Sequence, residues 1–226
     1  HFTDSDLQKI LGKEDLSSTV HRIARESRFY IKHGVNYYWA FLIGIYSGMR
    51  TEEICKLRVD EIQQEEGIWF FDIKGRVKTK NSVRRVPIHR QLIDLSLLKY
   101  MEIVAKQGEE RLFWSLPVIN EKYSKTVSKF FNDSYLKKVG VYEPNTKILY
   151  STRHTFITRA KVNGMEDALL KKLVGHEQEF TQKHYAANMF DLKMLQKGIN
   201  RVEYSSLDVK GLRVKWDKRL VVERVK

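Results

Sequence analysis

The chain has 226 residues, 42% of them hydrophobic, which is enough to bury the core of one main domain, and its single cysteine, Cys55, excludes an internal disulfide and a multi-cysteine zinc site. Lysine and arginine outnumber aspartate and glutamate by 41 to 28, and the resulting net charge of +13 favours an extended polyanion as the partner, nucleic acid before an anionic membrane surface. Because no apolar run approaches the roughly eighteen residues of a membrane-spanning helix and no signal peptide opens the chain, we expect a cytoplasmic, nucleoid-associated protein without a membrane partner.

The chain begins with a predicted helix and a basic segment. Thr3 is the candidate N-cap of a helix that runs through Leu11. Residues 17–38 then mix arginines and a lysine with tyrosines, a composition that favours contact with a DNA backbone. The alternative for this segment is a solvated helix face.

A glycine separates two predicted helices in the next segment. The apolar run that ends at Tyr46 is followed by Gly48, and a second helix is predicted from Arg50 to Ile62. Glu53 lies one helical turn after Arg50, so its carboxylate can orient the Arg50 guanidinium. A surface ion pair of little energetic value is the alternative.

A β-hairpin with a lysine-rich turn follows. Residues 67–74 and 82–89 are rich in aromatic and β-branched side chains, which predicts two strands. The turn between them contains Lys78 and Lys80. Lysines at a hairpin tip commonly serve solubility alone, and the alternative is a mobile ammonium group that reaches into a groove or a reaction centre.

The rest of the chain is predicted to be helical, so the fold class is α+β and mostly α, with one small hairpin or sheet. Hydrophobic spacing and glycine stops predict helices over 90–105, 127–141, 152–163, 165–174 and 191–199. The C-terminal tail that follows combines apolar positions with many charges. We expect it to pack on its own domain, and donation to a neighbouring molecule is the alternative.

Four motifs occur in order along the chain: SGMRTEEICKLRVDEI, VKTKNSVRRVPI, TRHTFITRA and LVGHEQEFTQKHYA. Together they resemble the catalytic domain of the tyrosine recombinase, or phage integrase, family. The resemblance implies a helical catalytic domain with a small β-sheet over residues 1–200 and a basic C-terminal tail over 201–226. The separate N-terminal DNA-binding domain of that family is not expected within this chain.

The resemblance also implies a set of catalytic residues, which are Arg50, Lys78, Tyr150, Arg153, His176 and Tyr185. The two arginines would clamp a phosphate, with Glu53 as the supporting acid of the first. Lys78 would protonate the leaving oxygen, with Lys80 as the alternative. His176 would hydrogen-bond the phosphate, and Tyr185 would be the nucleophile.

Tyr150 departs from the pattern of the family, which usually has histidine three residues before the second arginine. A tyrosine can donate a hydrogen bond to a phosphate oxygen, but it offers no imidazole for acid–base exchange near neutrality. Activity would be lowered or rerouted. His154 is expected on a different helix face from Arg153, in a packing or supporting role, and His184 is expected to be solvated.

The function implied by the resemblance is site-specific DNA recombination or integration through a 3′-phosphotyrosyl intermediate. No cofactor and no metal are expected, because the arginines would supply the positive charge that metal ions supply elsewhere. The partner would be double-stranded DNA, with a homotetramer on DNA and a monomer in isolation. The alternatives are a DNA-binding module with reduced or lost turnover and a type IB topoisomerase-like enzyme.

Overall fold

The computed structural model describes residues 1–11, 28–74, 83–176 and 190–213, and within them the chain is mostly helical with one small sheet. The helices, in chain order, are α1 (Asp4–Leu11), α2 (Arg28–Ser47), α3 (Thr51–Lys56), α4 (Arg90–Asp94), α5 (Leu97–Lys106), α6 (Ser124–Lys129), α7 (Leu136–Lys138), α8 (Ser151–Val162), α9 (Asp167–Val174) and α10 (Leu192–Ile199). The predicted fold class is confirmed. Within the described ranges, no helix has the length and apolar character that a bilayer crossing requires.

The sheet has three antiparallel strands in the order β1 (Ile62–Glu65), β2 (Ile68–Ile73) and β3 (Arg84–Pro87). The predicted pairing of the second and third strands is confirmed. The turn between the first two strands is tight, because Glu66 and Gly67 both have positive φ angles, of 50° and 80°.

The first strand replaces the end of a helix that was predicted to continue to Ile62, so that prediction is wrong beyond Lys56. The chain leaves the helix because its backbone finds partners elsewhere. The Val59 N–H donates to the Glu110 carbonyl, and the Leu57 carbonyl accepts from the Leu112 N–H. These long-range hydrogen bonds outweigh the local helical preference of the sequence.

Two other helix predictions need corrected bounds. The stretch 90–105 forms two helices, because Ser96 takes a left-handed conformation with a φ of 73°. The stretch 127–141 begins earlier, at Ser124, and contains a π-helical turn over Phe130–Tyr135. Helices α8, α9 and α10 lie within two residues of their predicted bounds.

Helix α2 lies at the centre of the core, with residues 34–49 buried throughout. It packs closely against α8. Gly44 makes this contact possible, because a Cβ there would lie 2.7 Å from the hydroxyl oxygen of Thr152. Helix α2 leads into Arg50, and α8 carries Arg153. The close contact between the two helices therefore brings these candidate site residues near each other.

Two tyrosines that were predicted to belong to a basic surface lie in the core instead. Tyr37 stacks on Phe130 with ring centroids 3.9 Å apart, and Tyr38 is buried. The sequence pattern predicted that the apolar part of this helix starts at Trp39. In the structure the buried part starts earlier, at residue 34. The arginines at 22 and 25, in the same predicted surface, lie outside the described residues.

The first part of the C-terminal tail packs on α2 of the same chain. The Tyr204 hydroxyl donates to the Ile45 carbonyl at 2.6 Å, and the Tyr38 hydroxyl donates to the Leu212 carbonyl at 2.8 Å. Residues 214–226 lie outside the described residues. For them the choice between packing on the same chain and donation to a neighbour stays a prediction.

We expect Gly48→Ala to destabilise the fold by about 3 kcal/mol, through left-handed strain and overpacking together. Gly48 has a φ of 63°, and a Cβ there would lie 2.3 Å from Cδ1 of Phe156. Gly164→Ala is the matched control, because Gly164 also has a positive φ, of 72°, but no atom within 4 Å of the added methyl position. The control should cost about 1 kcal/mol. Urea unfolding measures the free energy of unfolding of both variants. Equal losses would show that the Phe156 ring moves to accommodate the added methyl group, which would contradict the overpacking.

Candidate active site

Two glycine turns bring distant parts of the chain together around Arg153. Gly48 follows α2 with a φ of 63°, and Gly175 ends α9 with a φ of 68°. The Arg153 guanidinium lies between them and donates to the Gly48 carbonyl at 2.6 Å and to the Val174 carbonyl at 2.8 Å. One side chain from α8 therefore holds two separate turns at a common point.

The Arg153 side chain is a buried cation, and the residue is only 2% exposed. Burial, followed by the charges of Arg50 and Arg84, lowers its pKa to about 10, so it stays protonated at neutral pH. Among the described residues its hydrogen-bond partners are backbone carbonyls and not carboxylates. A buried cation of this kind is stabilised by an anion that enters the site.

Arg50 lies directly before α3, and its guanidinium is held by Glu53 as the spacing predicted. Glu53 Oε1 accepts from Arg50 Nη1 at 2.9 Å, and Oε2 accepts from the Arg50 backbone N–H at 2.9 Å. Arg50 Nη2 also donates to the Gly175 carbonyl at 3.3 Å. The Arg50 side chain is 36% exposed against 8% for Glu53, so the arginine reaches the surface from a buried carboxylate.

A third arginine, Arg84 at the start of β3, belongs to the same cluster and was missed by the sequence analysis. Its side chain is 1% exposed. It donates to both carboxylate oxygens of Glu53, at 3.2 and 2.9 Å, and through Nε to the Leu173 carbonyl at 2.7 Å. Strand alternation could have indicated it, since Arg84 shares a face with the apolar Val86.

The same arginine explains why residue 175 is a glycine. A Cβ at Gly175 would lie 2.9 Å from Nη1 of Arg84. The guanidinium therefore fills the space that any larger residue at 175 would need. The turn that precedes His176 is packed directly on the hairpin strand.

Glu53 remains a carboxylate in this cluster. Burial by itself raises the pKa of Glu53, but hydrogen bonds and charge from Arg84 and Arg50 outweigh burial and hold the pKa below its usual value. In the part of the site that the structure describes, two guanidinium groups therefore bind one carboxylate, and a third, that of Arg153, lies close enough to feel their charge. The remaining positive charge makes the cluster suited to bind an anion such as a phosphodiester.

His176 follows the second glycine turn and is exposed. Partial burial and the charges of Arg153, Arg50 and Arg84 lower the pKa of His176, so its imidazole is neutral at neutral pH. A neutral imidazole carries one N–H donor and one acceptor nitrogen. The geometry therefore presents a hydrogen-bonding group, and not a further cation, beside the arginines.

Tyr150 lies at the N-cap position of α8 and is 41% exposed. Its ring meets the ring of His154 edge-on, with centroids 5.3 Å apart and an interplanar angle of 76°. His154 is exposed whereas Arg153 is buried, so the predicted difference in helix face is confirmed.

The structure thus brings Arg50, Tyr150, Arg153 and His176 together from the predicted set. The other predicted positions, which are Lys78, Lys80, His184 and Tyr185, lie outside the described residues, and their roles stay predictions. In chain order the two lysines fall between β2 and β3, and Tyr185 falls between His176 and α10.

A model of the phage integrase family matches residues 13–191, which is most of the chain. The chain belongs to the phage integrase family. This match includes all four sequence motifs and extends across the residues of the cluster, from Arg50 to His176.

Named relatives of this integrase-family chain are tyrosine recombinases. XerA of Thermococcus kodakarensis is 26% identical over 139 residues, which cover 62% of this chain and 46% of that protein. XerC of Thermodesulfovibrio yellowstonii is 26% identical over 161 residues, which cover 66% of this chain and 48% of that protein. The chain thus matches about half the length of these relatives.

Solved structures with the same fold include a recombinase and an integrase. XerH site-specific recombinase, bound to its difH substrate in a pre-cleavage complex, aligns with a TM-score of 0.54 at 17% identity, over 84% of this chain and 53% of that chain. The integrase from mycobacterium phage Brujita aligns with a TM-score of 0.52 at 16% identity, over 88% of this chain and 63% of that chain. These likenesses establish the fold of this phage integrase family member.

We expect Arg84→Met to lower the free energy of unfolding by about 3 to 5 kcal/mol, because it removes one partner from a buried ion pair and leaves Glu53 poorly compensated. Arg85→Met is the matched control. Arg85 is the next residue on the same strand, and its pair with Glu65 at 3.0 Å is half exposed. The control should cost no more than about 1 kcal/mol. Chemical denaturation measures both, and similar losses would contradict a structural role for the Arg84 ion pair.

Proposed function

We propose that this chain is the catalytic part of a site-specific DNA recombinase or integrase that cleaves and rejoins strands through a 3′-phosphotyrosyl intermediate. The observation that carries the proposal is the buried guanidinium of Arg153, which lies near Arg50. Among the described residues, Arg153 donates its hydrogen bonds to carbonyl oxygens. The XerA relative, a tyrosine recombinase, and the XerH site-specific recombinase, bound to its difH substrate, support the same class of activity.

The arginine pair would act on the scissile phosphate. In the transition state negative charge concentrates on the nonbridging oxygens, and planar guanidinium groups match those oxygens with paired hydrogen bonds. Arg50 and Arg153 are held in advance by Glu53 and by two carbonyls, so little reorganisation is needed when charge develops. Removing one such donor typically costs about 2.7 to 4 kcal/mol of transition-state stabilisation.

The covalent step would use residues of the segments 75–82 and 177–189, which lie outside the described residues. The Tyr185 oxygen attacks phosphorus, the phenol proton passes to water, and the bond from phosphorus to the 5′-oxygen breaks. Lys78, or Lys80, gives a proton to the leaving 5′-oxygen. Attack by the 5′-hydroxyl of another strand reverses these steps and rejoins the DNA.

His176 and Tyr150 would complete the contacts to the phosphate. The neutral imidazole of His176 can donate one hydrogen bond to a nonbridging oxygen. The Tyr150 hydroxyl can donate another. Since the arginines provide the positive charge, the proposed mechanism contains no step that needs a metal or cofactor.

The proposal extends to partners and organisation. Residues 1–200 would form the catalytic domain with the basic tail over 201–226 after it, and residues 214–226 of that tail would pack on the same chain or on a neighbour. The DNA partner would be double-stranded, with a homotetramer assembled on two duplexes and a monomer without DNA. The protein would act in the cytoplasm, at the nucleoid.

A DNA-binding module with reduced or lost turnover is the second candidate function. It is favoured by Tyr150, which stands where the family usually has a histidine able to exchange protons. A type IB topoisomerase-like activity shares the chemistry. Relaxation of supercoiled plasmid without sequence preference would favour that activity over recombination.

We expect the wild-type protein to form a covalent adduct with a duplex that carries a nick near the cleavage position, and Tyr185→Phe to reduce the adduct by more than about 1000-fold, since the attacking oxygen is lost. DNA affinity should change little. Denaturing gels measure the adduct. Tyr204→Phe is the control with a normal adduct, because Tyr204 is buried and burial raises its pKa well above the usual value.

A wild-type protein that binds this nicked duplex without forming an adduct would favour the binding module. An adduct that persists in the Tyr185→Phe variant would move the nucleophile to another residue. The first result would contradict the proposed activity, and the second would contradict only the assignment of Tyr185 as nucleophile.

We expect Tyr150→His to leave the rate of adduct formation unchanged or to raise it, because an imidazole can donate the same hydrogen bond and can also exchange a proton near neutrality. Single-turnover cleavage of the nicked duplex measures the rate. A large loss would show that the phenol itself has a catalytic or structural role.

A further inference from the structure

The first turn of α8 has two chemically different sides. Arg153 points inward and is 2% exposed, whereas Tyr150 and His154, four residues apart, form an exposed ring pair. Neither ring is needed to fill the core. An exposed aromatic pair at the opening of a buried cationic site therefore requires an explanation other than packing.

The backbone under Tyr150 is held from two sides. The N–H of the preceding Leu149 donates to Oδ1 of Asn132, on the π-helical turn, at 2.8 Å. The Ser151 hydroxyl accepts from the Ile148 N–H at 3.2 Å and donates to the Thr146 carbonyl at 2.8 Å. With the main chain held in this way, the freedom that remains to Tyr150 lies in its side-chain torsions.

The contact with His154 acts on those torsions. Edge-to-face ring pairs are stabilising beyond the area they bury, so such a contact favours the side-chain torsions that keep the two rings in place. The ring centroids are 5.3 Å apart, within the favourable range for such a pair. His154 can therefore select the orientation of the phenol without a hydrogen bond to it.

The same two rings lie close to the charged Arg153. Partial burial first, and then the charge of Arg153, lower the pKa of His154, so its ring is neutral at neutral pH. A neutral ring at this point can support Tyr150 without adding a competing cation.

From this geometry we propose that His154 is a positioning residue for Tyr150, whose ring it holds edge-on at the opening of the arginine cluster, where the phenol hydroxyl can reach a bound phosphate. The inference rests on the proposed function, because the phosphate is that of the DNA. His154 would position Tyr150, whereas its neighbour Arg153 would contact the phosphate itself.

The first test is independent of DNA cleavage. Ring protons of Tyr150 and His154 should show a nuclear Overhauser effect in the free protein, and added inorganic phosphate should shift the Tyr150 ring signals in the wild type and in His154→Phe. The shift should be at least halved in His154→Ala at the same phosphate concentration. An absent ring-to-ring effect, or the same phosphate shift in His154→Ala as in the wild type, would overturn the proposal even if the protein cleaves no DNA.

The second test uses the nicked duplex. His154→Ala should slow adduct formation by about 3- to 10-fold, the range that a ring pair of this kind accounts for, with unchanged DNA affinity and thermal stability. His154→Phe should restore the rate because it keeps the ring. In a Tyr150→Phe background, His154→Ala should have no further effect, because the hydroxyl that it positions is gone.

Additive losses in the double variant would show that His154 acts independently of Tyr150. A His154→Phe variant as slow as His154→Ala would show that the imidazole nitrogens matter and not the ring contact. Either result would reject a positioning role. A wild type that forms no adduct would reject the proposed function alone, since the phosphate titration still decides the role of His154.

Discussion

The Glu53 carboxylate joins two guanidinium groups that lie more than thirty residues apart in sequence, Arg50 before α3 and Arg84 at the start of β3. Without a carboxylate at this point, two arginines would face each other with a third, Arg153, close by. Their mutual repulsion, and the cost of burying them, would favour separation of the helices from the sheet. The carboxylate thus fixes both the direction of the Arg50 side chain and the position of the first residue of β3.

The three arginines divide structure and chemistry between them. Arg84 is enclosed, with Glu53 and a carbonyl as partners, and it contributes rigidity. Arg153 is also enclosed but is held by carbonyls at two glycine turns, which leaves its charge available to an incoming anion. Arg50 is the exposed member. A site built in this way keeps its positive charge in place before substrate arrives, so little free energy is spent on reorganisation.

Some of this arrangement can be predicted from sequence because its causes are local. Gly164 and Gly175 end their helices through left-handed backbone conformations that a glycine signals directly. The spacing from Arg50 to Glu53 is one helical turn, so their contact also follows from the pattern. The roles of Lys78 and Tyr185 depend wholly on resemblance to a family.

Other parts could not be predicted because their causes are distant in sequence. The first strand forms where a helix was expected, since backbone groups near Leu57 pair with residues some fifty positions later. The burial of Arg84 can be predicted only once the buried face of β3 is known. Arg84 and Arg85 are the same residue type at adjacent positions, yet the first is buried and the second is half exposed. The ring contact between Tyr150 and His154 likewise needs the orientation of both side chains.

The close approach of Gly175 to Arg84 limits which sequence changes this fold can accept. A larger residue at 175 would strain a left-handed turn and also displace the guanidinium that neutralises Glu53. Shortening Arg84 would make room for the side chain but would not relieve the backbone. No single compensating substitution therefore removes both penalties, and position 175 is closed to gradual variation even though its residue has no side chain to contribute.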